Sequence, residues 1–227
     1  MNLPNSISAA RIAASPLLAF LPFVPSVGWR AFAFVLYLVT AMSDRWDGQI
    51  ARSRGLITDL GKVLDPLADK LLLLGTFIPM FLLQGHADDP LIRLLPAVAE
   101  RSAYAFTTWG LPAVWFPWWV LVPIVGREVF MTWFRTFAQA RGTVIAAQRL
   151  GKWKAGFQYT WMGAAYLWFV LKLLFEEQRW HGPIATFWAQ LLGLVGTVAM
   201  AVALVLTLVS LGDYLVRHRA VFGAPRR

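Results

Sequence analysis

The sequence predicts an all-α, polytopic membrane protein with about six transmembrane helices. Three observations predict it. Only 15% of the 227 residues are charged and 58% are hydrophobic, whereas a soluble domain of this size carries about 25% charged residues. Apolar runs near the length of a membrane span, about 20 residues, recur along the whole chain. Lysine and arginine gather in alternate connections, as positive-inside sorting requires. The spans fill the chain, so residues 1–227 form a single membrane domain with no separate soluble part.

The first span is expected from Ile7 to Phe23, interrupted by Arg11 and Pro16. No basic region precedes it and no small-residue cleavage site follows, so it is expected to be retained rather than removed as a signal peptide. The second covers Trp29 to Arg52, the third Leu64 to Leu83, and the fourth Trp115 to Ala140. The fifth runs from Gly151 to Phe175 and the last from Ile184 to Val216, long enough to tilt or to extend beyond the bilayer. Residues 84–110 form a longer connection than expected, read as an interfacial helix on the outer side and given no chemistry. His86, His181 and His218 lie scattered near span ends without ligand spacing, and the chain has no cysteine, which excludes disulfides and thiolate chemistry.

Arg52, Arg54 and Lys62 follow the second span, and Arg141, Arg149, Lys152 and Lys154 follow the fourth. Arg217, Arg219, Arg226 and Arg227 close the chain. Both termini are therefore expected in the cytoplasm, with the protein integral to the inner membrane. The formal charge of +9 suits an anionic lipid surface. Because it sits at helix ends, it does not suit nucleic acid.

The chemistry is concentrated in two adjacent spans. A charged side chain inside a span costs at least about 2.5–3.5 kcal/mol, so four acids need compensating partners. Asp44, Asp47, Gly48, Ala51 and Arg52 stand on one helix face, and Gly61, Asp65 and Asp69 repeat every four residues on the next. A short turn makes these helices antiparallel neighbours with facing acids. Clustered carboxylates suit a hard cation such as Mg²⁺ or Mn²⁺, which also takes phosphate oxygens. Gly48, Ala51 and Gly61 serve either close helix approach or room for a nucleotide, and spacing does not choose. Ion pairing with Arg45, Arg52 or Lys70, or an acid-lined path for cations, stays open on spacing alone.

The pattern Asp44-x2-Asp47-Gly48-x2-Ala51-Arg52-x8-Gly61-x3-Asp65-x3-Asp69 resembles the signature of the CDP-alcohol phosphotransferases at every fixed position. The resemblance implies a six-helix membrane fold, usually a homodimer, with a polar cavity open to the cytoplasm. It implies a pair of metal ions held by Asp44, Asp47, Asp65 and Asp69, with Asp69 also the general base. Asp47, Gly48, Ala51, Arg52 and Gly61 would form the CDP site, and CDP-diacylglycerol would be the donor.

Further stretches resemble the phosphatidylglycerophosphate synthase branch of that family: Asn2-Leu3-Pro4-Asn5 with Arg11 and Pro16, then Asp59 to Lys70, Gly126-Arg127-Glu128-Val129 through Arg135, and Gly151-Lys152-x-Lys154 with Gln158. Arg127 and Arg135 lie eight residues apart on one helix face, and Lys152 and Lys154 open the next helix. Four such cations can bind an acceptor's phosphate, which points to glycerol 3-phosphate. The bland alternative pairs Arg127 with Glu128 or a catalytic aspartate and leaves the lysines to positive-inside bias. Ala155-Gly156 departs from the Thr-Thr often found there, which keeps phosphatidylglycerol, giving cardiolipin, and inositol phosphate as competing acceptors.

Overall fold

The computed structural model describes residues 2–53, 58–94, 104–141, 149–180 and 182–217; the side chains of 44–53, Lys62, Ala140 and Arg149 lie outside that description. Helix α1 spans Leu3–Phe20 and ends in a 3-10 turn, Leu21–Phe23. Helices α2 (Val27–Ser53) and α3 (Asp59–Gln84) follow, then a four-residue α4 (Pro90–Arg93). A hairpin of β1 (Phe106–Thr108) and β2 (Leu111–Val114) leads into α5 (Trp118–Ala140), α6 (Arg149–Glu177) and α7 (Pro183–Arg217). Each expected span has its helix. Residues 84–110 hold more than the single helix expected: α4 and strand β1 lie there, and 95–103 are outside the described residues.

Caps fix the helix starts. Asn2 caps α1 by accepting from the Asn5 amide, and Thr58 caps α3 by accepting from the Gly61 amide at 3.0 Å. Helix α1 packs against both α2 and α3, while α6 touches α2, α3 and α7, and α5 leans on α3 and α7. Gly75 makes the α1–α3 contact close, since a Cβ there would stand 2.8 Å from the Ser15 carbonyl oxygen. The core centres on Trp161, set edge-on to Phe77 at 5.2 Å and to Phe116 at 4.5 Å. Tyr37 stacks on Tyr166 at 5.0 Å, and the Tyr166 hydroxyl donates to the Leu18 carbonyl at 2.8 Å, tying α6 to α1.

Among the described residues, three helical stretches, Leu3–Phe23, Asp59–Gln84 and Pro183–Arg217, are long and apolar enough to cross a membrane, and Val27–Ser43 is a shorter apolar one. The outward faces of α2 and α7 expose Phe32, Val35, Val39, Val198, Val205 and Leu208, a surface that lipid rather than water would cover. Helices α5 and α6 are interrupted by Arg127, Glu128, Arg135, Lys152 and Lys154. Those charges mark the site.

Candidate active site

A cavity of about 640 Å³ opens between α2, α3, α5, α6 and α7. Tyr37, Phe77 and Met162 contribute apolar lining, and the charged lining comes from Asp69 and Lys70 on α3, Arg127, Glu128 and Arg135 on α5, and Lys152 and Lys154 on α6. Expected base and expected acceptor cations thus meet in one space, although about 60 residues or more of chain separate them.

Asp65 and Asp69 stand one turn apart on α3, both exposed. The Ser8 hydroxyl donates to Asp65 Oδ1 at 2.5 Å, and Arg11 Nη2 donates to Asp69 Oδ1 at 2.6 Å. Arg11 is buried to 2% exposure while Asp69 keeps 55%. The first helix therefore supplies a buried cation to the second acidic pair, a role the sequence reading missed when it took Arg11 as an interruption. Its signal was available: a buried arginine in an apolar span needs an anion within reach.

Gly61 packs where a Cβ would lie 2.8 Å from Asn5 Oδ1 and 3.2 Å from Thr58 Oγ1, and the Asn5 amide nitrogen donates to Thr58 Oγ1 at 3.0 Å. Here the small residue serves close helix approach. Asp44, Asp47, Gly48, Ala51 and Arg52 fall on the last part of α2, with side chains outside the described residues. His181 and His218 also lie outside them; His86 sits edge-on to Trp115 at 4.9 Å and accepts from the Asp88 amide at 3.1 Å, away from the cavity-lining residues. Asp213 accepts from Arg217 Nε at 2.7 Å, one turn along α7.

The cations differ among themselves. Lys152 and Arg135 are exposed, whereas Lys154 and Arg127 keep only 5% and 9% of their side chains accessible. Arg127 donates to Glu128 Oε1 at 2.8 Å, and Lys154 pairs with the same oxygen. Burial sets Lys154 apart from a lysine placed only by positive-inside bias. The Arg127–Glu128 pair of the bland alternative is present, and a buried lysine has joined it. Two buried donors on cavity-lining residues, Arg127 Nε and Gln158 Nε2, have no hydrogen-bond partner among the described residues.

The family model described as CDP-alcohol phosphatidyltransferase matches residues 1–212. The chain belongs to that family. Among its curated relatives, a protein of Bacillus subtilis (strain 168) named CDP-diacylglycerol--glycerol-3-phosphate 3-phosphatidyltransferase is 31% identical over 178 residues, covering 73% of this chain and 77% of the relative. A protein of the same name from Rickettsia bellii is 41% identical over 88 residues, 39% of this chain and 48% of that one. A cardiolipin synthase (CMP-forming) of Oryza sativa subsp. japonica is 31% identical over 169 residues, 70% of this chain and 44% of its own length. The chain thus spans about half the length of the Rickettsia and Oryza relatives.

The donor set can be tested against the metal that such a phosphatidyltransferase would use. Asp65 and Asp69 offer hard, exposed oxygens one helical turn apart, which fit Mg²⁺ or Mn²⁺. No group of three or more metal-ligating side chains occurs among the described residues, a set that leaves out the side chains of Asp44 and Asp47.

Proposed function

We propose that the chain transfers a phosphatidyl group from CDP-diacylglycerol to sn-glycerol 3-phosphate, giving phosphatidylglycerol phosphate and CMP. The observation that carries this reading is that Asp69 lines the same cavity as Arg127, Arg135, Lys152 and Lys154. Family membership and the names of the Bacillus and Rickettsia relatives support it.

The residues divide the work. Arg127 and Lys154, with Arg135 and Lys152 nearer solvent, bind the acceptor's phosphate and so aim its free hydroxyl toward Asp69. Asp69 takes the hydroxyl proton. The freed oxygen bonds to the phosphorus that bears the diacylglycerol, the pyrophosphate P–O bond breaks, and CMP leaves with that electron pair. Asp47, Gly48, Ala51 and Arg52 would bind CDP, with Gly61 shaping the site by letting α1 and α3 close. Mg²⁺ or Mn²⁺, two ions held by Asp44, Asp47, Asp65 and Asp69, would neutralise the pyrophosphate and stabilise attacking and leaving oxygens. Arg11 keeps Asp69 oriented from behind.

The same reading takes all six long helices as spans. Arg127, Glu128, Arg135, Lys152 and Lys154 line the cavity rather than facing lipid, so they do not forbid a crossing by α5 and α6. Basic helix ends support a cavity mouth on the cytoplasmic side of the inner membrane, against anionic lipid, and a homodimer is the expected assembly.

CMP release by purified protein in micelles tests the proposal, with CDP-diacylglycerol, Mg²⁺ or Mn²⁺ and each acceptor in turn. Release that requires glycerol 3-phosphate is the expected result. Phosphatidylglycerol is the second reading, favoured by the Oryza cardiolipin synthase match and by Ala155-Gly156; release only with that acceptor would replace the first. An inositol phosphate requirement would likewise keep the site and change the acceptor. Ion flux with no CMP release would revive the acid-lined cation path.

A further inference from the structure

We propose that Glu128 is a positioning residue whose carboxylate holds Arg127 and Lys154 until the acceptor's phosphate takes them over, and reclaims them when the product leaves. The proposal rests on the acceptor-phosphate reading above. Its basis is one carboxylate oxygen, Glu128 Oε1, shared by a guanidinium and an ammonium that are both almost fully buried. Buried cations without an anion are costly, so something negative must stand between them whenever no substrate does. Glu128 is that group, and at 29% side-chain exposure it remains open to the cavity.

The cavity has more positive charge than Glu128 offsets. Among the described residues, Lys70, Arg135 and Lys152 also line it, and the other acid in the lining, Asp69, is engaged with Arg11. The buried donors Arg127 Nε and Gln158 Nε2 add hydrogen-bonding capacity that no protein acceptor among the described residues uses. A phosphate monoester, with a charge of about −1.5 to −2 at neutral pH and three acceptor oxygens, matches that surplus.

Reaction stoichiometry supplies the reason for a counter-anion. The new bond joins the acceptor's hydroxyl oxygen to the donor's phosphorus and CMP departs, so the acceptor's own phosphate passes unchanged into the product. Cations that capture the substrate therefore grip the product equally. A carboxylate competing for the same two cations weakens both grips and speeds release.

The competition gives a sign that a merely structural role does not. If Glu128 only kept the two cations in order, its loss would weaken phosphate binding. If it competes, its loss tightens phosphate binding, because the repulsion between two anions disappears. Inorganic phosphate binding to the purified full chain in micelles, read by calorimetry and by competition against glycerol 3-phosphate, distinguishes the two. Glu128→Gln, of the same shape without the charge, should bind phosphate roughly tenfold tighter than the parent. KM for glycerol 3-phosphate and kcat should fall together. Glu128→Asp, too short to reach both cations, should give an intermediate gain, and serves if the glutamine variant folds poorly. Phosphate binding unchanged or weakened in the folded variants overturns the proposal. Lys154→Gln and Arg127→Gln separate this from failure of the underlying reading. If parent phosphate binding depends on both cations yet Glu128→Gln binds no tighter, only the role of Glu128 falls. If the parent binds no phosphate, or binds it independently of both, the acceptor-site reading falls and takes this role with it.

Discussion

Asp69 has one oxygen committed to Arg11 at 2.6 Å while its side chain stays half in the open. Replacing it with asparagine therefore does two things at once. It removes the proposed base and metal ligand, and it deprives a buried guanidinium of an anion. Asp65 accepts from the neutral Ser8 hydroxyl, so its replacement strands no buried charge and should be less costly to the fold. Asp69→Asn and Asp65→Asn are both expected to lower CMP release by about tenfold or more. Only Asp69→Asn should also lower the melting temperature clearly, for a loss of about 2 kcal/mol, less than a fully buried pair would cost. Parallel activity and thermal-unfolding measurements check the pair, and equal melting temperatures would remove Arg11 from the account. The carboxylates were legible in the sequence because a repeat of fours places them on one helix face. Their partners were not. Arg11 and Asp69 are 58 residues apart, Glu128 and Lys154 26, and helical periodicity says nothing about pairs that meet only after helices pack.

At the scale of elements, the hairpin is the feature least visible beforehand. Its strands are short, and Thr108 pairs with Leu111 across Trp109-Gly110, where Gly110 takes φ +68°. Residues with β-branched or aromatic side chains before a glycine turn were a usable sign, but the apolar composition that identifies spans also hides short strands among them. The hairpin leans on α7 through two glycines. A Cβ at Gly193 would lie 1.9 Å from the Thr107 carbonyl oxygen, and one at Gly196 would lie 2.4 Å from the Phe106 ring. The first neighbour is backbone and cannot swing aside. Gly193→Ala is therefore expected to destabilise the protein by about 2–3 kcal/mol, read as a lower melting temperature in detergent. Gly212→Ala is the control on the same helix: nothing lies within 4 Å of its Cβ position, so it should be neutral or gain up to about 1 kcal/mol.

For the whole molecule, the charge pattern predicts a direction. The cavity residues Asp69, Arg135 and Lys152 gather at one end, and α3 runs from there to Gln84, whose carbonyl accepts from the Phe116 amide at 2.9 Å. Asp88 and Arg93 pair at 2.6 Å beyond that far end. Positive-inside sorting predicts a cytoplasmic cavity end, where on the proposed reading a water-soluble phosphate acceptor would enter while the lipid donor kept its tails in the bilayer. The absence of cysteine from the sequence makes this testable without background labelling. Single cysteines at Gln139, exposed near the end of α5, and at Asp88, exposed beyond α3, occupy neither the cavity nor the core. A membrane-impermeant maleimide should label Gln139→Cys in inside-out vesicles and Asp88→Cys in right-side-out vesicles. The reverse pattern would put the cavity on the outer face, away from the nucleotide-bearing compartment, and the charge asymmetry would then need another cause. Labelling of both from one side would mean that the helices between them do not cross, and the six-span reading would fail with the orientation.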